Sequence, residues 1–520
     1  MADLTRRSAL KVLGAAALVA SSPRLAFATL GKSAPPPPLG WQFASATEVA
    51  RAIREKTVTS LELTQLALER IVRLNPKINA MVTVTAESAL QRAREADEAL
   101  ARGEVWGPLH GVPGTIKDTF EVKGVRTTAG APELKDHVSE VDALAVARLR
   151  AAGMVILGKT NTPAWAGDWQ TYNERFGTTN NPWDLTRTPG GSTGGGAAAL
   201  AAGLGYLTIG SDLAGSIRWP AHCCGVFGHK PSLNLVPFRG HVPPMPGSFV
   251  GSVELPVVGP LARSAADLRV ALEVLGGPLP EDAIAYQWKL PAARKQSIRD
   301  YKIGYVVDHP LCPVTKEVRE RLLAAVEALR AAGAQLEEGF PPSIEVRKQF
   351  EAYLTVLWPM DLDEATEEQK AQIRAMKPAA DDLVGTTMQH ALVSTEEERT
   401  AARKSGGGMR QTWQKYFADH DAFLMPTSFL PAYPHDQRMP QWSRVLGTPE
   451  GPRSYFDQDI WPAIPIITGL PATVAPVGLT PSGLPVGIQI MGPWLEDATP
   501  ILVAGALEQA FGFRVPPGFA

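Results

Sequence analysis

Two segments of this sequence bring together residue types that can carry out nucleophilic chemistry. The first is Gly111-Val112-Pro113-Gly114-Thr115-Ile116-Lys117-Asp118. The second runs from Thr188 to Lys230. It includes Pro189-Gly190-Gly191-Ser192-Thr193-Gly194-Gly195-Gly196 and Gly210-Ser211-Asp212-Leu213-Ala214-Gly215-Ser216-Ile217-Arg218. Glycine has no Cβ, so its backbone reaches positive φ and approaches a ligand closely. Successive free N–H groups then form a nest for an anion. Residues Asp212 to Ser216 can aim such donors at a developing oxyanion, each worth about 3–4 kcal/mol in enzymes that use them. Ser216, at the end of that nest, is placed to attack the carbonyl that the nest polarises.

Serine needs a base. In α/β-hydrolases an imidazole and a carboxylate supply it; here a lysine can, provided it is neutral. Its pKa must fall from about 10.4 to about 7–8, which is roughly 4 kcal/mol, and desolvation of a buried lysine supplies a change of that size. Lys117 follows the apolar Ile116 in a strand-like segment, so burial is expected. A nearby Asp118 carboxylate would favour the charged form, but neighbours on a strand point to opposite faces. Lys159, in Gly158-Lys159-Thr160-Asn161, is the other candidate base. Ser192 is a rival nucleophile, because Gly190–Gly194 matches G-x-S-x-G around it. A phosphate-cradling P-loop fails, since Gly196 is followed by Ala197 where Lys is required. The S-x-x-K pattern occurs only at Ser8–Lys11. The nine histidines are scattered and no C-x-x-C pair occurs, so no metal site is expected.

An α/β framework is expected to position these residues. The spacing of Val49, Ile53, Leu61, Leu63, Leu66 and Ile71 predicts a helix over Glu48–Leu74. Further helices are predicted over Ala86–Ala101 and over Leu144–Ala152, the latter stopping at Gly153. The apolar run Met154-Val155-Ile156-Leu157 reads as a buried strand. An Ala-rich helix over 197–203 follows the glycine loop. Thr315–Ala332 is an amphipathic helix with Val318, Leu322, Val326 and Leu329 inward. Val486, Ile488 and Ile490 alternate as a strand. Between about 340 and 440, polar helical segments and a flexible Ser405-Gly406-Gly407-Gly408 turn interrupt the strands, which predicts a mostly helical cap on the main domain. His229 is expected as a hydrogen-bonded core residue. Trp165, Trp169 and Trp461 are expected in the core, with an acyl pocket as their alternative place. No internal repeat of about 20–50 residues is present.

Composition narrows the function classes. With 51 Lys+Arg against 53 Asp+Glu and 45% hydrophobic residues, the chain is neither disordered nor basic enough to bind nucleic acid by bulk charge. It lacks a stretch of about 18 apolar residues able to span a bilayer. Residues 1–28 combine a basic start, a short apolar run and Ala26-Phe27-Ala28, the pattern of a secretory signal peptide. Arg6-Arg7, followed by Leu10 and Lys11, resembles a twin-arginine signal, so a periplasmic or secreted location is expected. Residues 29–41 form a linker around Pro35–Pro38, and the folded domain occupies 42–520. An oxidising compartment would permit a disulfide, but neighbouring Cys223 and Cys224 rarely bond to each other, and with Cys312 the count is odd.

The glycine-serine block, Asp212–Pro220, and Cys224-Gly225-Val226-Phe227-Gly228-His229-Lys230-Pro231 resemble the amidase signature family. Gly111–Asp118, Thr160-Asn161, Val258–Ser264, Gly469-Leu470-Pro471-Ala472 and Gly483–Gln489 fit the same family. The resemblance implies an α/β fold, a large mixed β-sheet covered by helices on both faces with a helical cap. It implies an amidohydrolase with a Ser–cis-Ser–Lys triad: Ser216 as nucleophile, Ser192 as bridging serine behind a cis peptide, Lys117 as base. N–H groups of Leu213, Ala214, Gly215 and Ser216 would form the oxyanion hole, braced by Asp212, Arg218 and Thr193. The family commonly has Gly where this chain has Ala214, whose methyl would strain the loop at positive φ. The substrate class implied is a small-molecule amide, with no cofactor, no nucleic acid and no membrane in the mature form. A homodimer is compatible, since many members are dimers. Three other readings share parts of the pattern: a glutaminase-type amidotransferase A subunit, an α/β-hydrolase-like esterase with Ser192 as nucleophile, and a catalytically dead binding protein.

Overall fold

The computed structural model describes residues 39–248, 250–362, 365–379 and 382–520. The expected export signal and the linker up to Pro38 lie outside the described residues.

The single helix expected over Glu48–Leu74 is two helices, Ala46–Arg54 and Ser60–Ile78. Each opens with a capping box, Ser45 with Glu48 and Thr59 with Glu62, which satisfies N–H groups that a helix start leaves bare. Lys56, at φ +57°, turns the chain between them. Helices Ala86–Ala101, Leu144–Ala151 and Lys316–Ala331 fall on their predicted segments, whereas the Ala-rich helix expected over 197–203 is Gly194–Ala201 and includes the last three glycines of the preceding run.

The strands are, in chain order, β1 Met81–Val84, β2 Pro113–Lys117, β3 Val155–Thr160, β4 Tyr172–Asn173, β5 Gly177–Thr178, β6 Leu207–Asp212, β7 Phe227–Lys230 and β8 Val257–Ala262. They continue with β9 Lys302–Tyr305, β10 Gln335–Glu338, β11 Ala422–Pro426, β12 Val445–Thr448, β13 Gly451–Ser454, β14 Ala472–Leu479 and β15 Pro485–Met491. Eleven of them form one mixed sheet in the order β1-β3-β2-β6-β8-β7-β14-β15-β11-β9-β10, while β4–β5 and β12–β13 pair separately. β2 runs parallel to both neighbours, β3 and β6. Every residue of β2, β3, β6, β7, β8, β11 and β15 is buried. Strands buried on both faces need cover on both, and the surrounding helices supply it.

Helices Val346–Leu362, Glu367–Ala375, Leu383–Ala391 and Glu396–Tyr416 pack with one another and against helix Ile460–Ile467. This helical stretch is shorter than the expected 340–440, because Ala422–Pro426 is a buried strand of the main sheet. The expected flexible turn at Ser405–Gly408 is likewise corrected: those residues lie inside helix Glu396–Tyr416. There Gly406 packs so closely that a Cβ would stand 2.4 Å from the Ile467 carbonyl oxygen, so the glycine serves packing rather than a turn. Cys223, Cys224 and Cys312 are all buried free thiols. Trp169 and Trp461 are buried and Trp165 is half-buried. His229 is buried and hydrogen-bonded to Thr473 Oγ1 at 2.9 Å and Asp497 Oδ1 at 3.1 Å. Among the described residues no helix is long and apolar enough to cross a membrane.

Candidate active site

Lys117 closes β2 at the centre of the parallel part of the sheet. Ile116 lies opposite Ile209 of β6, so Ser211 and Asp212 leave β6 beside the end of β2. Lys117 is wholly buried. Its Nζ lies 2.7 Å from Ser192 Oγ and 3.0 Å from Ser211 Oγ. Burial lowers its pKa to about 7, against the opposing pull of the Asp212 carboxylate.

Asp118 faces the other way, as strand alternation requires. Its Oδ1 lies 3.0 Å from Lys159 Nζ, and Oδ2 accepts from Thr128 Oγ1 at 2.5 Å and Thr128 N at 3.1 Å. Lys159 also donates to Phe120 O and Thr127 Oγ1, both at 2.8 Å. The second candidate base is therefore paired with a carboxylate and has no serine at its Nζ among the described residues.

Ser192 is joined to Gly191 by a cis peptide and lies two residues before helix Gly194–Ala201, whose N-cap is Thr193. Thr193 joins the three serine segments. Its N–H donates to Ser216 O at 3.2 Å, and its Oγ1 donates to Ser211 O at 3.4 Å. The side chain fits only because residue 210 is glycine, where a Cβ would stand 2.5 Å from Thr193 Oγ1.

The loop after β6 is folded around the Asp212 carboxylate. Oδ1 accepts from Gly215 N at 2.9 Å and Arg218 Nη2 at 2.7 Å. Oδ2 accepts from Ile217 N at 3.1 Å, Arg218 N at 3.3 Å and Arg218 Nε at 3.0 Å. Burial alone would raise the Asp212 pKa; the Arg218 charge and these hydrogen bonds more than offset that and leave it below the usual value. Arg218 Nη1 donates onward to Gln489 Oε1 and Pro462 O. Gly215 sits at φ +88° with the Pro462 ring 3.0 Å from where a Cβ would be, so this is the position that requires glycine. Ala214 is not at positive φ, and its methyl carries none of the strain that position could have imposed. Of the four N–H groups expected to line an oxyanion hole, that of Gly215 is directed at Asp212, while those of Leu213, Ala214 and Ser216 make no hydrogen bond among the described residues. Trp169 Nε1 holds the loop from outside through Ala214 O at 2.7 Å.

Behind the loop, Tyr353 OH lies 3.4 Å from Leu213 O and donates to Asp459 Oδ1 at 3.0 Å. Asp459 is wholly buried, its other oxygen has no partner among the described residues, and burial holds its carboxyl well above the usual range.

Sequence reasoning gave no role to Ser211 and missed His241. His241 Nε2 lies 2.9 Å from Ser211 Oγ, and its Nδ1 lies 2.9 Å from Pro243 O. The available signal was Gly240-His241-Val242-Pro243-Pro244, a histidine fixed in a proline-bounded turn, but nothing local to it names Ser211 as partner.

A family model described as Amidase matches residues 62–500. The chain belongs to the amidase signature family. This amidase is 33% identical over 496 residues to the A subunit of glutamyl-tRNA(Gln) amidotransferase from Carboxydothermus hydrogenoformans, a match covering 91% of this chain and 98% of the relative. Among solved structures, the amidase resembles the A subunit of the Thermotoga maritima glutamyl-tRNA(Gln) amidotransferase with a TM-score of 0.73 and 26% identity, covering 93% of this chain and 99% of that one. It resembles the peptide amidase of Stenotrophomonas maltophilia with a TM-score of 0.72 and 27% identity, covering 91% and 98%. The 11-stranded mixed sheet with helices around it is the amidase signature fold, and the amidase acts on carbon–nitrogen amide bonds.

Proposed function

We propose that the chain hydrolyses a carboxamide through a seryl ester on Ser216, with Ser192 and Lys117 moving the protons. One observation carries this: a wholly buried lysine whose pKa falls to about 7, 2.7 Å from Ser192 Oγ. Ser192 gives its proton to the neutral Lys117 amine as it takes the proton of Ser216. The freed Ser216 Oγ attacks the amide carbon, and the N–H groups of Leu213, Ala214 and Ser216 receive the developing oxyanion. As the intermediate collapses, the proton returns from Lys117 through Ser192 to the leaving nitrogen, and the C–N bond breaks. Water then repeats the sequence on the ester, releasing acid. Asp212, Arg218 and Thr193 hold the loop and do not touch the substrate. Intact mass after fluorophosphonate treatment, with the adduct located by peptide mapping, tests the assignment. Label on Ser216 supports it, label on Ser192 supports the esterase reading, and no labelled serine in folded protein supports a binding protein.

The amide's identity divides two readings. The curated relatives, each named as the A subunit of glutamyl-tRNA(Gln) amidotransferase and 31–34% identical, favour glutamine as substrate and a multi-subunit partner. A free-standing amidase is favoured by Arg6-Arg7 and Ala26-Phe27-Ala28, which we read as an export signal of the twin-arginine type. Ammonia release from glutamine once the other amidotransferase subunits are added, against turnover of aliphatic, aryl or peptide amides by the chain alone, separates the two. Recovery from the periplasm of a chain cut after Ala28 would support export.

A further inference from the structure

Lys117 Nζ has two hydroxyl neighbours, Ser192 Oγ at 2.7 Å and Ser211 Oγ at 3.0 Å. A neutral amine has only one lone pair. If Ser211 pointed its proton at Nζ, the lone pair would be occupied and Ser192 could only accept. The amine would then be unable to take a proton from the serine it is meant to deprotonate.

The far side of Ser211 decides which arrangement holds. A carbonyl oxygen only accepts, so the 2.9 Å contact of His241 Nδ1 with Pro243 O puts the imidazole proton on Nδ1. A neutral imidazole has one N–H, so Nε2 is then an acceptor. The 2.9 Å contact between His241 Nε2 and Ser211 Oγ therefore uses the only proton Ser211 has. What remains for Lys117 is a lone pair on Ser211 Oγ, which accepts an N–H, and the amine's own lone pair is left for Ser192. His241 is 6% exposed. Its ring is held edge-on to Phe120 at 4.9 Å and against Phe238 at 4.2 Å. Burial, and secondarily the charge Lys117 would carry, lower its pKa to about 3, so it stays neutral where Lys117 works.

We propose that His241 is a positioning residue which, through Ser211, orients the hydrogen bonds at Lys117 so that the amine's lone pair faces Ser192. The proposal rests on the Lys117–Ser192–Ser216 reading above. The rate of fluorophosphonate labelling of Ser216, followed by intact mass, tests it without knowledge of the natural amide. His241→Phe frees the Ser211 proton to compete, and labelling should slow about tenfold or more, within the range that loss of acid–base assistance covers. Ser211→Ala in that background removes the competitor and should restore most of the rate, an effect that loss of packing alone would not produce. A His241→Phe rate within about twofold of the parent, or a double variant as slow as His241→Phe, overturns the proposal. If His241→Phe does not fold, His241→Ala and Ser211→Ala/His241→Ala give the same comparison with the same two outcomes. Labelling of Lys117→Met at the parent rate would instead overturn the underlying assignment of the base, whatever His241 does.

Discussion

Arg218 grips both oxygens of Asp212, with Nε 3.0 Å from Oδ2 and Nη2 2.7 Å from Oδ1, and neither side chain is exposed. Because Asp212 also receives the N–H groups of Gly215 and Ile217, this pair sets the path of the loop that ends in Ser216. Removing one partner leaves a buried charge alone, so Arg218→Ala should destabilise the protein by about 3–5 kcal/mol and abolish Ser216 labelling. Arg218→Lys should not restore either, since one ammonium cannot bridge both carboxylate oxygens. Thermal unfolding and labelling on the same samples check this. The Asp212 pKa is held below the usual value, so this contribution is present above about pH 4 and lost as pH falls through the lowered value.

Lys117 should write its protonation state into the pH profile. With a folded pKa of about 7, kcat/KM should fall about tenfold per pH unit below that point. Lys117→Met should lower it by about 10²–10⁴ while the protein stays folded. The stability dependence has the opposite origin. Unfolded, the amine titrates near 10.4, so between about 7 and about 10 the unfolded chain binds a proton that the folded chain does not, and this group's share of stability rises with pH. Lys117→Met should remove that rise, which denaturation at pH 7 and pH 9 would reveal.

Lys159 should behave differently from Lys117. Lys159→Met strands the Asp118 carboxylate in the interior and should cost about 3–5 kcal/mol of stability. Adding Asp118→Asn should recover part of that loss, since it removes the unpaired charge. A double variant less stable than Lys159→Met would contradict the pairing.

Two adjacent glycines of helix Glu396–Tyr416 should respond in opposite senses. At Gly407 a methyl would meet only open space, so Gly407→Ala should stabilise by about 0.5–1 kcal/mol through helix propensity. Gly406→Ala drives a methyl to 2.4 Å from Ile467 O and should lower Tm despite the same gain. Melting temperatures of the two variants suffice.

Asp459 carries a burial cost that an amide would not. Its folded pKa is raised, so its charged form opposes folding increasingly as pH climbs above the ordinary carboxylate value near 4. Asp459→Asn keeps an oxygen for Tyr353 OH and should raise Tm at pH 8, with the gain vanishing near pH 4.

The parts of the site that were legible in the sequence are those whose residue types are demanded locally. Lys117 and Ser192, which meet at 2.7 Å, lie in motifs whose glycines and short side chains allow such a close approach. Lys159 was a rival only because the Lys159–Asp118 contact joins residues 41 apart by a cross-strand approach that spacing does not encode. The break at Lys56 was hidden because Val49, Ile53, Leu61 and Leu63 continue an apolar stripe across it. The Thr59-x-x-Glu62 capping pair was the better signal. At Ser405–Gly408 glycine propensity pointed to a turn, and the deciding neighbour, Ile467, is remote in sequence. Ser211 and His241 escaped for the same reason: each is ordinary alone, and only their meeting at Lys117 gives them meaning.

The hairpin of β12 and β13 closes through Pro449 and Glu450, both exposed. Downstream of it, β14 and β15 sit between β7 and β11 in the middle of the sheet. A proteolytic nick at that tip would therefore yield two polypeptides on a denaturing gel but a single particle in a sizing column, because the shorter piece is a plank inside the longer one's floor.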